Sequence, residues 1–516
     1  MRKIVVIILL SILTANMLPA HAQKKPLRVE IAAKEDTDPF NLVNCAELGA
    51  FVFFPTAQEV GKDSIVWSFY MFDKNLQESW NNGIGLGQDY LFAGSSFKPN
   101  DTILYLLFQD GRKKEGINAV VFTVDLVAST VREIKGQLTA MANVGHFDVA
   151  ENYAFITLET NKGGADLCRM SLKTADVMHF NIPEKDKSAI LNLVLNPANR
   201  SISVISKMDE GKLALTVFNY DGAILGAVDF TKMIIKKEIN SAEVVQTGQG
   251  KGLVFGVYGS ADYRGRNSEI EDENPLAAGY FVAGFENNQH TFVKYYNFSE
   301  FRDFFRYIKG DDVIRLKKHS FLKGKDKDEE DRETALNYHM LVHPVLQRDS
   351  SFMLSGEAYY PEYHTTTNMI YDYYGRPIPT SYSVFDGFRY AVAFIASFDS
   401  SGTMRWSNGM EIRGVLTNFL NKKCLSFFEG SDVVMMYNAE GALAIKTIRG
   451  NEVLEQVAYT AIGMLHANDK VVKDYLSTIA PWYDDFYIAY GYHSIRNNDL
   501  SGGRRTVFYI NKIAYR

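Results

Sequence analysis

Phe398-Asp399-Ser400-Ser401-Gly402-Thr403-Met404-Arg405-Trp406 closes a longer stretch, Ser351 to Trp406, that reads strand, tyrosine-rich loop (Pro361 to Gly387), strand, tight turn, strand. An apolar run that stops at an aspartate, turns through serine and glycine and resumes toward an aromatic has the pattern of a β-hairpin. The same anchors occur near the other end of the chain. Phe72, Asp73 and Trp80 repeat Phe398, Asp399 and Trp406, with the same spacing of one residue and then seven.

Residues 89–136 show the whole repeating unit. Tyr90 to Phe97, Thr102 to Gln109, Asn118 to Asp125 and Thr130 to Lys135 are four short β-branched and aromatic runs, separated by Pro99-Asn100-Asp101 and Asp110-Gly111. Four strands in about 48 residues is the size of one propeller blade. Similar quartets lie around 141–182, 189–230, 242–298, 338–412, 416–458 and 473–515, which puts third strands near residues 64, 118, 166, 212, 278, 388, 441 and 504. The last unit stops after its third strand, and Leu27 to Ile31 has no local hairpin partner. Pairing that segment into the last blade removes both edges. The fold expected is all-β: one β-propeller of about eight four-stranded blades, seven as the alternative, occupying residues 23–516. Two β-sandwiches are the competing arrangement, but no Pro-rich or Gly/Ser-rich linker divides the chain.

Met1, Arg2 and Lys3 precede an apolar run from Ile4 to Leu18, followed by Pro19, Ala20, His21 and Ala22. That order reads as a secretory signal peptide cut after Ala22, about 15 apolar residues being short for a membrane span. Its removal leaves 494 residues, takes the formal charge from −6 to −8 and leaves no apolar run long enough to cross a bilayer. The protein is therefore expected in the periplasm, at the cell surface or outside the cell, and its acidity argues against a nucleic-acid partner. Cys45, Cys168 and Cys424 are few and scattered; three buried thiols fit better than a disulfide framework. Ser299 to Asp312 has the cap and apolar face of a short helix, and Lys323 to Glu333 is a mixed-charge solvated run.

Chemistry is sought in three long polar insertions, Gly259 to Ala277, Tyr360 to Gly387 and His493 to Gly503. Each joins a second strand to a third, so all three rise from one propeller face, where ligand sites on such scaffolds lie. The candidate ligand-binding residues are Tyr359, Tyr360, Tyr363, His364, Tyr373, Arg376, Tyr382, Asp386, Arg389, Arg264, His493 and Arg496. Tyrosines offer rigid, partly apolar platforms with a hydroxyl tip, suited to stacking on a sugar or gripping a peptide. Equally, they can pack on one another to hold the loop. Glu269, Glu271, Asp272 and Glu273 do not match a calcium-loop spacing, and His339 and His343 lie in a strand context that suits metal poorly. No metal or cofactor is expected.

Glu357, Asp372 and Asp386 are the carboxylates a glycosidase-like pair could draw on. No G-x-S-x-G elbow, H-E-x-x-H helix, CxxC pair or phosphate-binding glycine loop occurs. The sequence reading is thus an exported binding or scaffold protein for a glycan, peptide or cell-envelope partner, without assigned catalytic residues. The alternative is a carbohydrate-active enzyme, a glycoside hydrolase or lyase, using carboxylates of the same face.

The hairpin Phe398 to Trp406 resembles the D-x-x-G-x-x-x-W corner of PQQ-like and related WD40-like propeller repeats. With the leader ending Ala20-His21-Ala22-Gln23 and the Tyr/Asp-rich loops, the chain is similar to secreted or envelope propellers of the Bacteroidota. The resemblance implies the blade pattern; its motif is specific in only two of about eight units, and no PQQ site or catalytic residue is transferred.

Overall fold

The computed structural model describes residues 27–515 except 35–38, 112–116, 139–141, 161–163, 184–187, 209–211, 232–236, 261–275, 303, 308–337, 372 and 500–502. Strand pairing divides the chain into eight antiparallel sheets taken in sequence order. Blades 1 to 4 run Asn41–Gly87, Tyr90–Leu138, Ala142–His179 and Ser188–Asp229; blades 5 to 7 run Lys237–Asn297, His339–Glu411 and Cys424–Ala461. Blade 8 takes three strands from Lys470–Ala514 and its outermost strand, Arg28–Ala32, from the N-terminus, paired antiparallel to Arg504–Ala514.

The apolar faces account for this arrangement. Alternating side chains give each sheet two faces, and each face is buried against the next sheet in sequence. Phe51, Phe53 and Trp67 of blade 1 pack with Leu104, Leu106 and Phe108 of blade 2. Equivalent cores join blades 2 and 3, 3 and 4, 4 and 5, 5 and 6, 6 and 7, and 7 and 8. A last core joins Ile488, Phe508 and Ile510 of blade 8 to Ala50, Val52 and Phe72 of blade 1. Eight interfaces for eight sheets make a closed ring, and the fold is an eight-bladed β-propeller.

The repeated corner is a hydrogen-bonding device. Asp399 Oδ1 accepts from the N–H groups of Ser401 and Thr403, both at 2.9 Å. Asp73 Oδ1 accepts from Asn75 and Gln77 at 2.8 Å, and Asn219 Oδ1 from Asp221 at 3.0 Å and Ala223 at 2.8 Å. Gly402 holds φ +72°, and a Cβ there would stand 2.5 Å from the Phe292 ring of the preceding blade. Trp80 does not serve its own corner: its Nε1–H donates to Leu126 O of blade 2 at 2.9 Å. Trp406 stands likewise beside the Gly450 turn of blade 7. The aspartate shapes the corner and the tryptophan ties it to a neighbour.

Third strands begin at Ser64, Ile117, Ala165, Leu213, Ala277, Ala442 and Arg504, within one residue of expectation. Blade 6 departs. Its third strand starts at Pro377, because the stretch read as a loop, Pro361 to Gly387, is a two-stranded ribbon continuing the blade's middle strands, Ser351–Tyr371 and Pro377–Asp399. Proline lacks a ladder donor, but Pro361, Pro377 and Pro379 are accepted here because the edges of such a ribbon are open. Of the expected helix, Ser299 to Asp312, the structure describes a 3-10 turn, Phe298–Glu300, and one helical turn, Phe304–Tyr307; residues 308–337, with the end of that segment and the mixed-charge run Lys323 to Glu333, lie outside the described residues. All three cysteines are buried free thiols.

The N-terminal strand is held by more than its ladder. Arg28, its side chain fully buried, donates to Glu30 Oε1 at 2.7 Å and Asn511 Oδ1 at 2.7 Å, and lies 4.6 Å over the Tyr509 ring. Arg505 bridges Glu30 Oε2 at 3.0 Å and Asp469 Oδ2 at 2.6 Å. Burial pushes the Asp469 carboxyl up, but hydrogen bonds from Arg505, Asn497 and the His466 N–H outweigh it and hold the group at about 2.

Arg28→Ala removes one of the two arginines on Glu30 and the donor to Asn511 Oδ1, and is expected to cost about 2–3 kcal/mol in urea unfolding; a change below about 1 kcal/mol would show that the strand closes the ring without this network. The acid branch tests Asp469 separately. Its folded pKa lies below the ordinary 3.8, so its contribution is full above that value and fades as pH falls toward 2. Asp469→Asn should lose less stability than the wild type between pH 5 and pH 2; parallel curves would remove Asp469 from the lock.

Candidate functional site

Strands alternate direction within a blade, so every second-to-third connection leaves the same face as the connections between blades. The expected insertions of blades 5, 6 and 8 are such connections. Residues 261–275, and with them Arg264, lie outside the described residues, as does Asp372. Blade 6 supplies the described feature, a ribbon from Tyr363 opposite Phe385 to Tyr371 opposite Pro377. Nine residues at about 3.3 Å each carry its tip about 30 Å from its base.

Composition changes along this ribbon. Near the base, Tyr363 packs on Phe385 with ring centroids 5.6 Å apart, and Phe385 on Phe388 at 5.1 Å. Arg389 is ion-paired to Glu362, and His364 Nδ1 lies 2.6 Å from Asp386 Oδ1. The middle is hydroxyl-rich: Thr367 and Ser381 meet at 2.9 Å, and Asn368 Nδ2 donates to Tyr382 OH at 3.1 Å. Toward the tip Met369, Ile370, Tyr371, Tyr374 and Ile378 are exposed and Tyr373 is 96% exposed. Tyr373 sits edge-on to Tyr374 at 5.4 Å, and the Arg376 guanidinium lies 5.6 Å from the Tyr374 ring.

Several expected site residues sit elsewhere. Tyr359 is buried against His339, Phe388 and Tyr390 and belongs to the interface of blades 6 and 7. Tyr360 is half-buried, 5.4 Å from the Tyr338 ring. His493 is in the strand Phe486–Arg496, with 0% exposure, 3.3 Å from Arg28 Nη2 and 3.5 Å from Asp474 Oδ2. It is part of the ring closure, the strand running further than its polar sequence suggested. Arg496 is exposed and bonded to Asn498 Oδ1 at 3.2 Å. Tyr363, His364, Tyr373, Arg376 and Tyr382 remain on the ribbon surface, with Asp386 and Arg389 half-buried at its base.

Glu357 also changes role. It is 0% exposed, and its carboxylate accepts the Lys423 N–H at 2.8 and 3.0 Å, the Cys424 N–H at 2.8 Å, and a short contact from His343 Nε2. These bonds staple blade 6 to the innermost strand of blade 7. A carboxylate so enclosed has no face to offer a substrate.

Sequence reasoning missed the neighbouring channel. Lys422, on the segment leading into blade 7, is exposed, and burial of its surroundings lowers its pKa against the opposing pull of Glu243 and Glu357. Glu243, on the innermost strand of blade 5, is raised by burial although Val345 N–H donates to its Oε2 at 3.0 Å. His146 of blade 3 is lowered by burial and then by the Lys422 charge. Lys422 is thus acted on by carboxylates of blades 5 and 6 and itself acts on His146 of blade 3. No motif spacing signals this, because His146, Glu243, Glu357 and Lys422 are successively separated by 65 to 114 residues in the chain. A second recess, of about 380 Å³, lies between blades 6 and 7, lined by Arg306, Tyr307, Glu411, Arg413, Lys446 and Tyr459.

No protein-family model and no curated protein matches the chain. Among solved structures it is similar to the WD40 domain of SCAP from fission yeast, at 7% identity over 95% of this chain and 97% of that one, TM-score 0.41. It is also similar to the polysaccharide lyase Uly1, at 10% identity over 94% and 100%, TM-score 0.38. The β-propeller domain of the Trilobed protease from Pyrococcus furiosus matches at 8% identity over 81% and 98%, TM-score 0.34.

Glu357→Gln replaces an acceptor oxygen with a donor facing N–H groups and should lower the unfolding free energy by about 3 kcal/mol or more. An unchanged urea midpoint would show that the staple is dispensable.

Proposed function

We propose that this is an exported propeller whose loop face binds a macromolecular partner, the blade 6 ribbon being the grip. The export half rests on the charged start, short apolar run and Ala20-His21-Ala22 at the N-terminus. The observation that carries the binding half is the ribbon tip: Met369, Ile370, Tyr371, Tyr373, Tyr374 and Ile378 exposed together, with Arg376 beside them. Large apolar groups clustered on a projecting element mark an interaction site, and tyrosine and arginine are the side chains that dominate such contacts. A peptide or a cell-envelope protein fits this shape better than a short glycan, since a projecting ribbon has no cleft to enclose a sugar ring. The engagement of Glu357 with backbone N–H groups leaves the enzyme reading without one of its carboxylates.

Immobilised mature chain offered a cell-envelope protein fraction and a glycan panel should retain a protein. Tyr373→Ala combined with Tyr374→Ala should weaken that capture at least about tenfold while leaving stability within about 0.5 kcal/mol. Undiminished capture by the double variant, or retention of glycans alone, would overturn the reading.

A further inference from the structure

The ribbon has two unlike edges. In an antiparallel ladder, opposite residues alternate between pairs that exchange N–H···O bonds and pairs whose backbone groups point outward. Pro377 and Pro379 stand opposite Tyr371 and Met369. Proline has no N–H to exchange, so these pairs are of the outward kind, and Ile370 with Ile378 and Asn368 with Thr380 are the exchanging pairs. The alternation continues to Thr367 opposite Ser381 and Thr365 opposite Ser383, again outward. The 2.9 Å contact of the Thr367 and Ser381 hydroxyls agrees with the close approach of side chains in such pairs.

The outer edge of the returning strand therefore lacks donors at positions 377 and 379, the usual protection against strand addition. The outer edge of Ser351–Tyr371 has no such block. Thr365, Thr367, Met369 and Tyr371 turn their N–H and C=O groups outward, and among the described residues no backbone group pairs with them. We propose that this edge is completed by the same edge of a second copy of the chain, giving a two-fold dimer through a four-stranded antiparallel sheet.

The edge is self-complementary. With the axis at Thr367, Thr365 of one copy faces Met369 of the other, and Tyr363 faces Tyr371. No charged residue lies between Thr365 and Tyr371, so the axis opposes no like charges. Both outer edges of the composite sheet are then the proline-bearing strands, which stops assembly at two rather than propagating a fibre. A foreign peptide would leave its own far edge open. Insertion into lipid would leave these backbone groups without partners in hydrocarbon, where nothing replaces their hydrogen bonds. A reach of about 30 Å leaves room for two propeller bodies at opposite ends of the paired ribbons.

The paired edge shares Met369 and Tyr371 with the proposed grip, so the test changes only Thr367 and Ser381 and leaves Tyr373 and Tyr374 untouched. Sedimentation velocity of the mature chain at micromolar concentrations should show a dimer. Thr367→Pro, which removes an outward donor and no bond within the ribbon, should give a monomer with an unchanged unfolding midpoint. Thr367→Cys should form a disulfide-linked dimer on mild oxidation, the paired Cα atoms lying about 5.5 Å apart. The three native thiols are buried, so the introduced one reports alone. Ser381→Cys, two strands further from its symmetry mate, should not cross-link. A monomer at every concentration, a dimer surviving Thr367→Pro, or equal cross-linking from Ser381→Cys would each overturn the proposal.

Discussion

The seam at which Arg28–Ala32 joins Arg504–Ala514 is the constraint the rest of the molecule obeys. No blade buries its own apolar faces; each is covered by its two neighbours, and the eight cores form a circle only if the last sheet meets the first. An open array would expose the faces of blades 1 and 8, including Phe72, Trp482 and Phe508. The five residues Arg28–Ala32 therefore complete the sheet on which the burial of those two faces rests. The polar chain from Asp469 through Arg505, Glu30 and Arg28 to His493 runs across that seam and across no other. Apart from Arg505, which is partly exposed, its members are nearly dry, so each charge depends on the next. The ladder gives the seam its strength and the charge chain gives it its register.

A ring closed in this way is a rigid frame, and the frame decides what can be placed on it. The middle strands of blade 6 continue beyond the face as a ribbon because they are anchored in two interblade cores, through Phe352 and Phe394 on one side and Met353 and Ile395 on the other. An isolated two-stranded hairpin is marginal in water; here the ladder is already in register where it leaves the sheet. The channel has the same logic. Lys422 acts on both Glu243 and His146, which belong to the innermost strands of blades 5 and 3.

Much of the fold was legible in the sequence. Alternating β-branched and aromatic residues locate strands, and Asp, Asn, Gly and Pro locate the turns between them, because both are local preferences of a few residues. Seven third strands consequently begin where the pattern places them. The candidate site was legible only in part. Pro361 to Gly387 read as a loop for its polar, tyrosine-rich composition; Pro377 and Pro379 fit a strand there because a ribbon edge needs neither donor. His493 and Tyr359 read as surface groups for their polarity, yet each is buried where a distant strand satisfies it.

The chain by itself determined the number and spacing of its strands, the tyrosine-rich insertion and the aspartate corners, all set by neighbours within a dozen residues. Tertiary structure alone decided which carboxylate is enclosed, which arginine locks the ring and which ribbon edge stays open. Glu357 is a buried staple because Lys423 and Cys424, some 66 residues away, turn their N–H groups toward it. Arg28 is a lock because Asn511 lies 483 residues further on. Such roles belong to pairs of residues, and the pairing is created by closure of the ring.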